Sequence, residues 1–380
     1  MKKMLILSYI ILYALTAACS TQVAQVRCGA DRLDQYLPLL DGKQIALVAN
    51  HTSLVEGKHL VDTLLASGIN KEQIVKVFAP EHGFRGDHAA GVQIEDGTDP
   101  LTGIPVASLY GSHKKPEPGE LDGLDLMLFD LQDVGARFYT YISTLHYVME
   151  ACAENGIPLI VLDRPNPNGA CVDGPVLDTA YRSFVGMHPI PVAYGLTIGE
   201  LAGMINGEGW LNQGIKCDLT LITCANYTRG QAYSMPVSPS PNLANDHAVL
   251  MYPSTCFFEG TVLSEGRGTA MPFEIYGHPD MPGEFSFTPE TIPGVARNPK
   301  FEGQVCFGAD LRDFTPEEGW TRIQLKWILD AYKNFPHKEE FFTGYFNTLA
   351  GTGQLRKQIE DGWDEKRIRD SWQEDLEQYN

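Results

Sequence analysis

QIVKVFAPEHGFRG, Gln73 to Gly86, is an apolar run that breaks off into a glutamate, a histidine, an arginine and two glycines. The first half has the length and the Val, Ile and Phe content of a buried strand. The second half is a polar loop at that strand's carboxyl end. The same transition recurs along the chain, and the recurrence predicts the fold.

QIALVAN (44–50) predicts a first strand, followed by a helix around KHLVDTLLASG. QIVKVFAP (73–80) is the second strand, VASLYG (106–111) the third and LDLMLFDL (124–131) the fourth. TYISTLHYVMEACAENG (140–156) then sets Ile142, Leu145, Val148 and Met149 along one helical face, with Gly156 available to end it. PLIVLD (158–163) is a fifth strand, TIGELAGMINGEGWL (197–211) a helix with a Thr/Glu start, and CDLTLITC (217–224) a last strand. Strands alternating with amphipathic helices specify an α/β domain with a mainly parallel sheet.

Composition changes at YSMPVSPSPNLAN (233–245), where Pro, Ser and Asn cluster. A boundary there divides the chain into an N-terminal α/β domain, 35–245, and a C-terminal α+β domain, 246–380. The latter ends in the helical segments GWTRIQLKWILDAYKNF and QLRKQIEDGWDEKRIRDSWQEDLEQY. In the last segment Ile359, Trp363, Ile368, Trp372 and Leu376 are set among alternating charges, the pattern of a solvated helix packed on its domain.

The first residues read as a targeting segment: MKK, then an apolar stretch ending LTAAC. That stretch resembles a bacterial lipobox, which makes residues 1–19 a lipoprotein signal peptide and Cys19 the lipidated residue. The expected location is the cell envelope, facing the periplasm on a lipid anchor. CSTQ, without charge, carries no signal for inner-membrane retention, so the outer membrane is the expected membrane. The other seven cysteines form no CxxC or CxxH pair, so neither a disulfide framework nor a zinc ribbon is expected. A net charge of −19 argues against nucleic acid as a partner and makes clustered arginines informative.

The polar motifs fall in a pattern. NHTS (50–53), PEHGFRG (80–86), DLQDVGARFYTY (130–141) and DRPNPNG (163–169) each follow an expected strand. In a parallel sheet all carboxyl ends share one edge, where ligands bind. That edge should therefore gather Asn50, His51, Glu81, His82, Arg85, Gln132, Asp133, Arg137, Tyr139, Arg164, Asn166 and Asn168. Each motif can also be local turn or cap chemistry; the convergence of four makes a site.

Several frameworks are missing. No GxGxxG follows the first strand, no GxSxG or Walker A sequence occurs, and SHKK (112–115) matches SxxK only formally, in a charged loop. EHGFRGDH offers Glu81, His82, Asp87 and His88, but no HExxH or HxH spacing fixes a metal geometry, so no metal and no cofactor are expected. What remains is carboxylate chemistry in an arginine-rimmed cleft. Glu81 is the candidate general acid, with Asp133, Glu259 or Glu265 as its partner, the last two from FFEGTVLSEGRGTAMPFE (257–274), which also carries Arg267.

On NHTS, FAPEHGFRG, FDLQDVGARFYTY, DRPNPNG, EGT and EGRGT together, residues 35–380 resemble the exo-acting β-N-acetylmuramidases of the NamZ type. The resemblance implies a Rossmann-like domain joined to a smaller C-terminal domain, with the cleft between them. It implies removal of terminal N-acetylmuramic acid from the non-reducing ends of peptidoglycan fragments, so that muropeptides or their disaccharides are the partners. It implies that Glu81, in the PEHG segment, is catalytic. Muramic acid carries a lactyl carboxylate, which Arg85, Arg137, Arg164 or Arg267 could hold as a bidentate pair. Asn50, His82, Gln132, Tyr139 and Asn166 complete the expected binding set. From the residues alone, an envelope amidase, a metal-dependent esterase and a non-catalytic muropeptide-binding lipoprotein stay open as alternatives.

Overall fold

A computed structural model describes residues 25–81, 83–85 and 96–380. The signal segment with Cys19, and His82, Gly86, Asp87 and His88, lie outside the described residues. Helix α1 (Leu33–Leu40) leads into strand β1 (Ile45–Ala49), then the short hairpin β2 (Leu54–Val55) and β3 (Lys58–His59) and helix α2 (Leu60–Ala66). Strands β4 (Ile74–Ala79), β5 (Gly97–Thr98), β6 (Pro105–Ser108) and β7 (Leu126–Asp130) follow. Helix α3 (Tyr141–Asn155) connects to β8 (Leu159–Leu162). A second short hairpin, β9 (Val172–Asp173) with β10 (Ala193–Tyr194), precedes α4 (Ile198–Glu208) and β11 (Leu219–Ile222).

These strands build one sheet in the order β11-β8-β7-β1-β4-β6-β5. Every pairing is parallel except β5 with β6 at the edge. Continuous apolar runs suit such a sheet because helices cover both faces. Side chains alternate between them: Ala46, Val48, Met127 and Phe129 pack on one side, Ile45, Leu47, Leu126 and Leu128 on the other. Strand β1 sits between β7 and β4, so the connections leave it in opposite directions. That reversal opens a crevice at the strands' carboxyl ends.

Local signals set the helix ends. Thr197 caps α4 by accepting from the Glu200 amide at 3.1 Å while Glu200 Oε2 accepts from the Thr197 amide at 2.9 Å. Gly156 ends α3 at φ 67°, a left-handed conformation that disfavours a side chain.

The C-terminal part starts with α5 (Asp246–Thr255) and carries an antiparallel sheet, β12 (Ile275–His278), β13 (Phe285–Phe287) and β14 (Cys306–Asp310), in the order β12-β14-β13. It finishes in α6 (Leu325–Asn334), α7 (Tyr345–Ala350), α8 (Gln354–Glu360), α9 (Glu365–Asp370) and α10 (Gln373–Tyr379). The run 354–379 is thus three short helices. Gly362, at φ 73°, ends the first, and Asp364 caps the second by accepting from the Arg367 amide. Ile359, Ile368, Trp372 and Leu376 are buried, in the same apolar cluster as Phe257, Phe258 and Phe346 and one face of the main sheet. Among the described residues no helix is long and apolar enough to cross a membrane.

Candidate active site

Glu81 leaves the end of β4 through Pro80 and stands half-buried. The turn after it is tight: the Gly83 amide donates to the Pro80 carbonyl at 3.1 Å, with Gly83 at φ 80°. Arg85 then pins the loop to the scaffold. Its guanidinium makes a bidentate contact with Asp62 on α2, at 3.0 and 3.2 Å, and another with Asp99, at 2.8 and 3.2 Å. Burial raises the Asp99 carboxyl, but the bonds from Arg85 and Thr102 outweigh it and hold the group below the usual carboxylate range.

Three hydroxyls from neighbouring strand ends surround Glu81. Thr140 Oγ1 donates to Glu81 Oε2 at 3.4 Å, and the Tyr141 hydroxyl donates to the Glu81 carbonyl at 3.4 Å. Tyr110, just beyond β6, stands near the Glu81 carboxylate; burial first, then the Glu81 charge, push this phenol up, so it stays neutral. Beneath them the Asn50 amide donates to the Tyr141 hydroxyl at 2.7 Å, and Asn50 Oδ1 accepts from Thr52. Asn50 therefore supports the site from below and does not line it.

The opposite wall comes from the C-terminal part. Arg267 bonds Glu259 at 2.6 Å, approaches Glu265 at 3.3 Å and lies over the Phe273 ring at 5.0 Å. Lys300 bonds Glu265 at 3.1 Å and three backbone carbonyls, of Phe258, Thr261 and Leu263. Glu81 and Arg267 together line two cavities. One, of about 60 Å³, is walled by Phe138, Tyr139, Tyr141, Tyr252 and Phe273 with Ser240 and Leu243. The other, of about 340 Å³, is bounded by Glu265, Arg297, Asn298 and Lys300. The second falls in the range of about 300–1,000 Å³ usual for small-molecule sites, and the first is much smaller.

The expected residues divide sharply. Glu81, Tyr139, Glu265 and Arg267 line this cleft. Tyr139 also donates to the Pro239 carbonyl at 2.8 Å, which fixes the loop opposite. Glu259 stands behind Arg267 as its partner.

Others line neither cavity and are engaged within the scaffold. Arg164 is buried in a bidentate pair with Asp130, at 2.6 and 2.8 Å, and donates to the Leu54 carbonyl. Removing one partner of such a pair costs about 3–5 kcal/mol, more than the 1.5–3 kcal/mol of a typical charged hydrogen bond, so it will not open for a ligand. Arg137 is wholly buried and donates to the carbonyls of Pro175, Ile190, Leu349 and Ala350 at 2.7–3.1 Å. Arg85 is committed to its two aspartates. Gln132 bridges the carbonyls of Asp133 and Pro165, and Asn166 accepts from the Asn168 amide and donates to the Leu196 carbonyl. Asp133 is buried outside both cavities, accepting from the Tyr194 hydroxyl and the Gly135 amide, and burial pushes its carboxyl up to about 7. Asp133, expected as a candidate partner of Glu81, thus stands apart from the two cavities that Glu81 lines.

Tyr110, Thr140, Tyr252, Arg297 and Lys300 were not expected. Tyr110 lies inside the stretch read as a strand, VASLYG, but the strand ends at Ser108, so the strand-end argument applied with that boundary would have found it. Arg297 and Lys300 sit in the irregular stretch TIPGVARNPK, which carries no period or motif. Among the described residues no three His, Cys, Asp or Glu side chains converge as a metal-binding group.

Comparison with known proteins places this geometry. Residues 45–247 match the family model described as exo-beta-N-acetylmuramidase NamZ, N-terminal, and residues 250–380 match its C-terminal counterpart. The chain is 40% identical, over 94% of its length and 89% of the relative's, to the peptidoglycan beta-N-acetylmuramidase NamZ of Bacillus subtilis (strain 168). Two crystal structures of DUF1343 family proteins from Bacteroides fragilis NCTC 9343 share the fold. One, at 1.30 Å resolution, has a TM-score of 0.86 at 44% identity, covering 94% of this chain and 96% of that one. The other, at 1.65 Å, has a TM-score of 0.77 at 27% identity, covering 93% and 96%.

Proposed function

The chain belongs to the exo-β-N-acetylmuramidase NamZ family, and from that premise we propose how its cleft performs the family's chemistry. The protein is a glycosidase of peptidoglycan that releases terminal N-acetylmuramic acid from the non-reducing end of its fragments. Glu81 acts as the general acid, delivering a proton to the glycosidic oxygen as the bond to the departing sugar breaks; water then supplies the oxygen that replaces it at the anomeric carbon and the proton that restores Glu81. Thr140 orients its carboxyl group, with the Tyr110 phenol nearby. The larger cavity, bounded by Glu265, Arg297 and Lys300, takes the muramic acid, and the small aromatic pocket adjoins it at Glu81. Glu265, ion-paired with Lys300 and Arg267, is the second carboxylate on the cleft.

One observation carries this reading: Glu81 is the only carboxylate of the described residues that lines both cavities. The test is product analysis with a disaccharide of N-acetylmuramic acid β-1,4-linked to N-acetylglucosamine. Release of both free sugars is expected. Binding of the disaccharide without turnover would instead indicate a capture protein.

The lipobox reading extends the proposal to location. Cys19 carries the lipid and tethers the enzyme to the envelope, facing the periplasm, where peptidoglycan fragments arise. Growth with radiolabelled palmitate should label the wild type and leave Cys19→Ala unlabelled.

A further inference from the structure

The lactyl carboxylate is what separates muramic acid from N-acetylglucosamine, so an enzyme that selects muramic acid needs a cation for it. The protein carries a net charge of −19, so that cation has to be local. Three cations line the two cavities: Arg267, Arg297 and Lys300. Arg267 is taken up by Glu259 and Glu265, and Lys300 by Glu265 and three carbonyls. Arg297 is exposed, lines the cavity with Glu81, and makes no ion pair or side-chain hydrogen bond among the described residues.

The loop that presents it is held in place. Ile292 and Ala296 exchange backbone hydrogen bonds at 2.9 Å, closing a tight turn immediately before Arg297. The buried Asn242 donates to the Val295 carbonyl at 3.1 Å, tying the turn to the segment that supplies Ser240 and Leu243 to the aromatic cavity. An unpaired guanidinium on an anchored turn beside the catalytic carboxyl is arranged to receive an anion.

We propose that Arg297 reads the lactyl carboxylate and sets the preference for muramic acid. The proposal rests on the muramidase reading and adds a specificity residue that no sequence motif marked. The pair forms in the ground state, so its loss acts mainly on KM.

The test compares wild type, Arg297→Ala and Arg297→Lys on the disaccharide, with free N-acetylmuramic acid and free N-acetylglucosamine as competitive inhibitors. Arg297→Ala is expected to lower kcat/KM by about 10- to 100-fold and to weaken inhibition by N-acetylmuramic acid to a similar degree. Inhibition by N-acetylglucosamine should not change, and Arg297→Lys should recover part of the loss. Unchanged kcat/KM in Arg297→Ala, or equal weakening of both inhibitors, would overturn the proposal. Wild type failing to cleave the disaccharide would instead overturn the muramidase reading itself.

Discussion

The Asn50 side-chain amide donates to the Tyr141 hydroxyl at 2.7 Å, joining the end of β1 to the start of α3 directly beneath Glu81. Asn50 is in turn fixed by Thr52, and Tyr141 reaches the Glu81 backbone. The loop that carries Glu81 is thus supported from the two central strand ends of the sheet. A carboxyl group that must meet one glycosidic oxygen gains from such support, because small displacements cost large factors in rate.

Tyr141→Phe should therefore lower both stability and turnover. It strands the buried Asn50 donor, a loss of about 1–3 kcal/mol, and releases the Glu81 carbonyl. Urea unfolding should show a lower midpoint, and kcat should fall while KM stays within a few-fold. An unchanged midpoint and rate would mean that this support is not needed.

Arg137→Met removes a buried cation that holds four carbonyls from three segments. Two of those carbonyls, of Leu349 and Ala350, belong to the C-terminal helices, so the residue ties the two parts of the chain together. The expected loss is about 3 kcal/mol or more, since several buried acceptors lose their donor. In the fraction that folds, the ratio of inhibition by N-acetylmuramic acid to that by N-acetylglucosamine should match wild type. A changed ratio would return Arg137 to the binding site.

Asp133 gives a pH signature. Burial raises its carboxyl from an ordinary value near 4 to about 7, against the opposing bonds from Tyr194, Gly135 and Val134. The folded state therefore holds a proton that the unfolded state has already lost between those values. Stability falls as pH rises through that window, and the cost is complete above about pH 7. Asp133→Asn keeps an acceptor for both neighbours and cannot ionise. Measured by urea unfolding, its stability relative to wild type should rise between pH 4 and pH 7 and level off above. A difference independent of pH would contradict this.

Much of the scaffold was readable in the sequence because hydrophobic period and strand length report burial directly. QIALVAN, LDLMLFDL and PLIVLD became adjacent parallel strands, and the Thr197/Glu200 start and Gly156 end of two helices are local signals. The strand-end argument found Glu81 and the loops that support it. It could not separate side chains that face the cleft from those that face the scaffold, because both follow a strand end and both are polar. Arg137 and Arg164 look like anion binders in sequence, yet their partners lie 34 to 213 positions away. Arg297 went unseen for the converse reason: its position is set by a loop folded onto another segment, with no period of its own.

The central claim is that Glu81 donates the proton to the leaving sugar. Glu81→Gln keeps the shape and removes the acid, and its kcat should be compared with wild type on two N-acetylmuraminides. One is the disaccharide, whose leaving alcohol needs protonation; the other is an aryl glycoside with a nitrophenolate leaving group, which does not. A loss of about 100-fold or more on the disaccharide, with a much smaller loss on the aryl glycoside, is predicted. Wild-type turnover of the disaccharide by Glu81→Gln, or equal losses on both substrates, would contradict it.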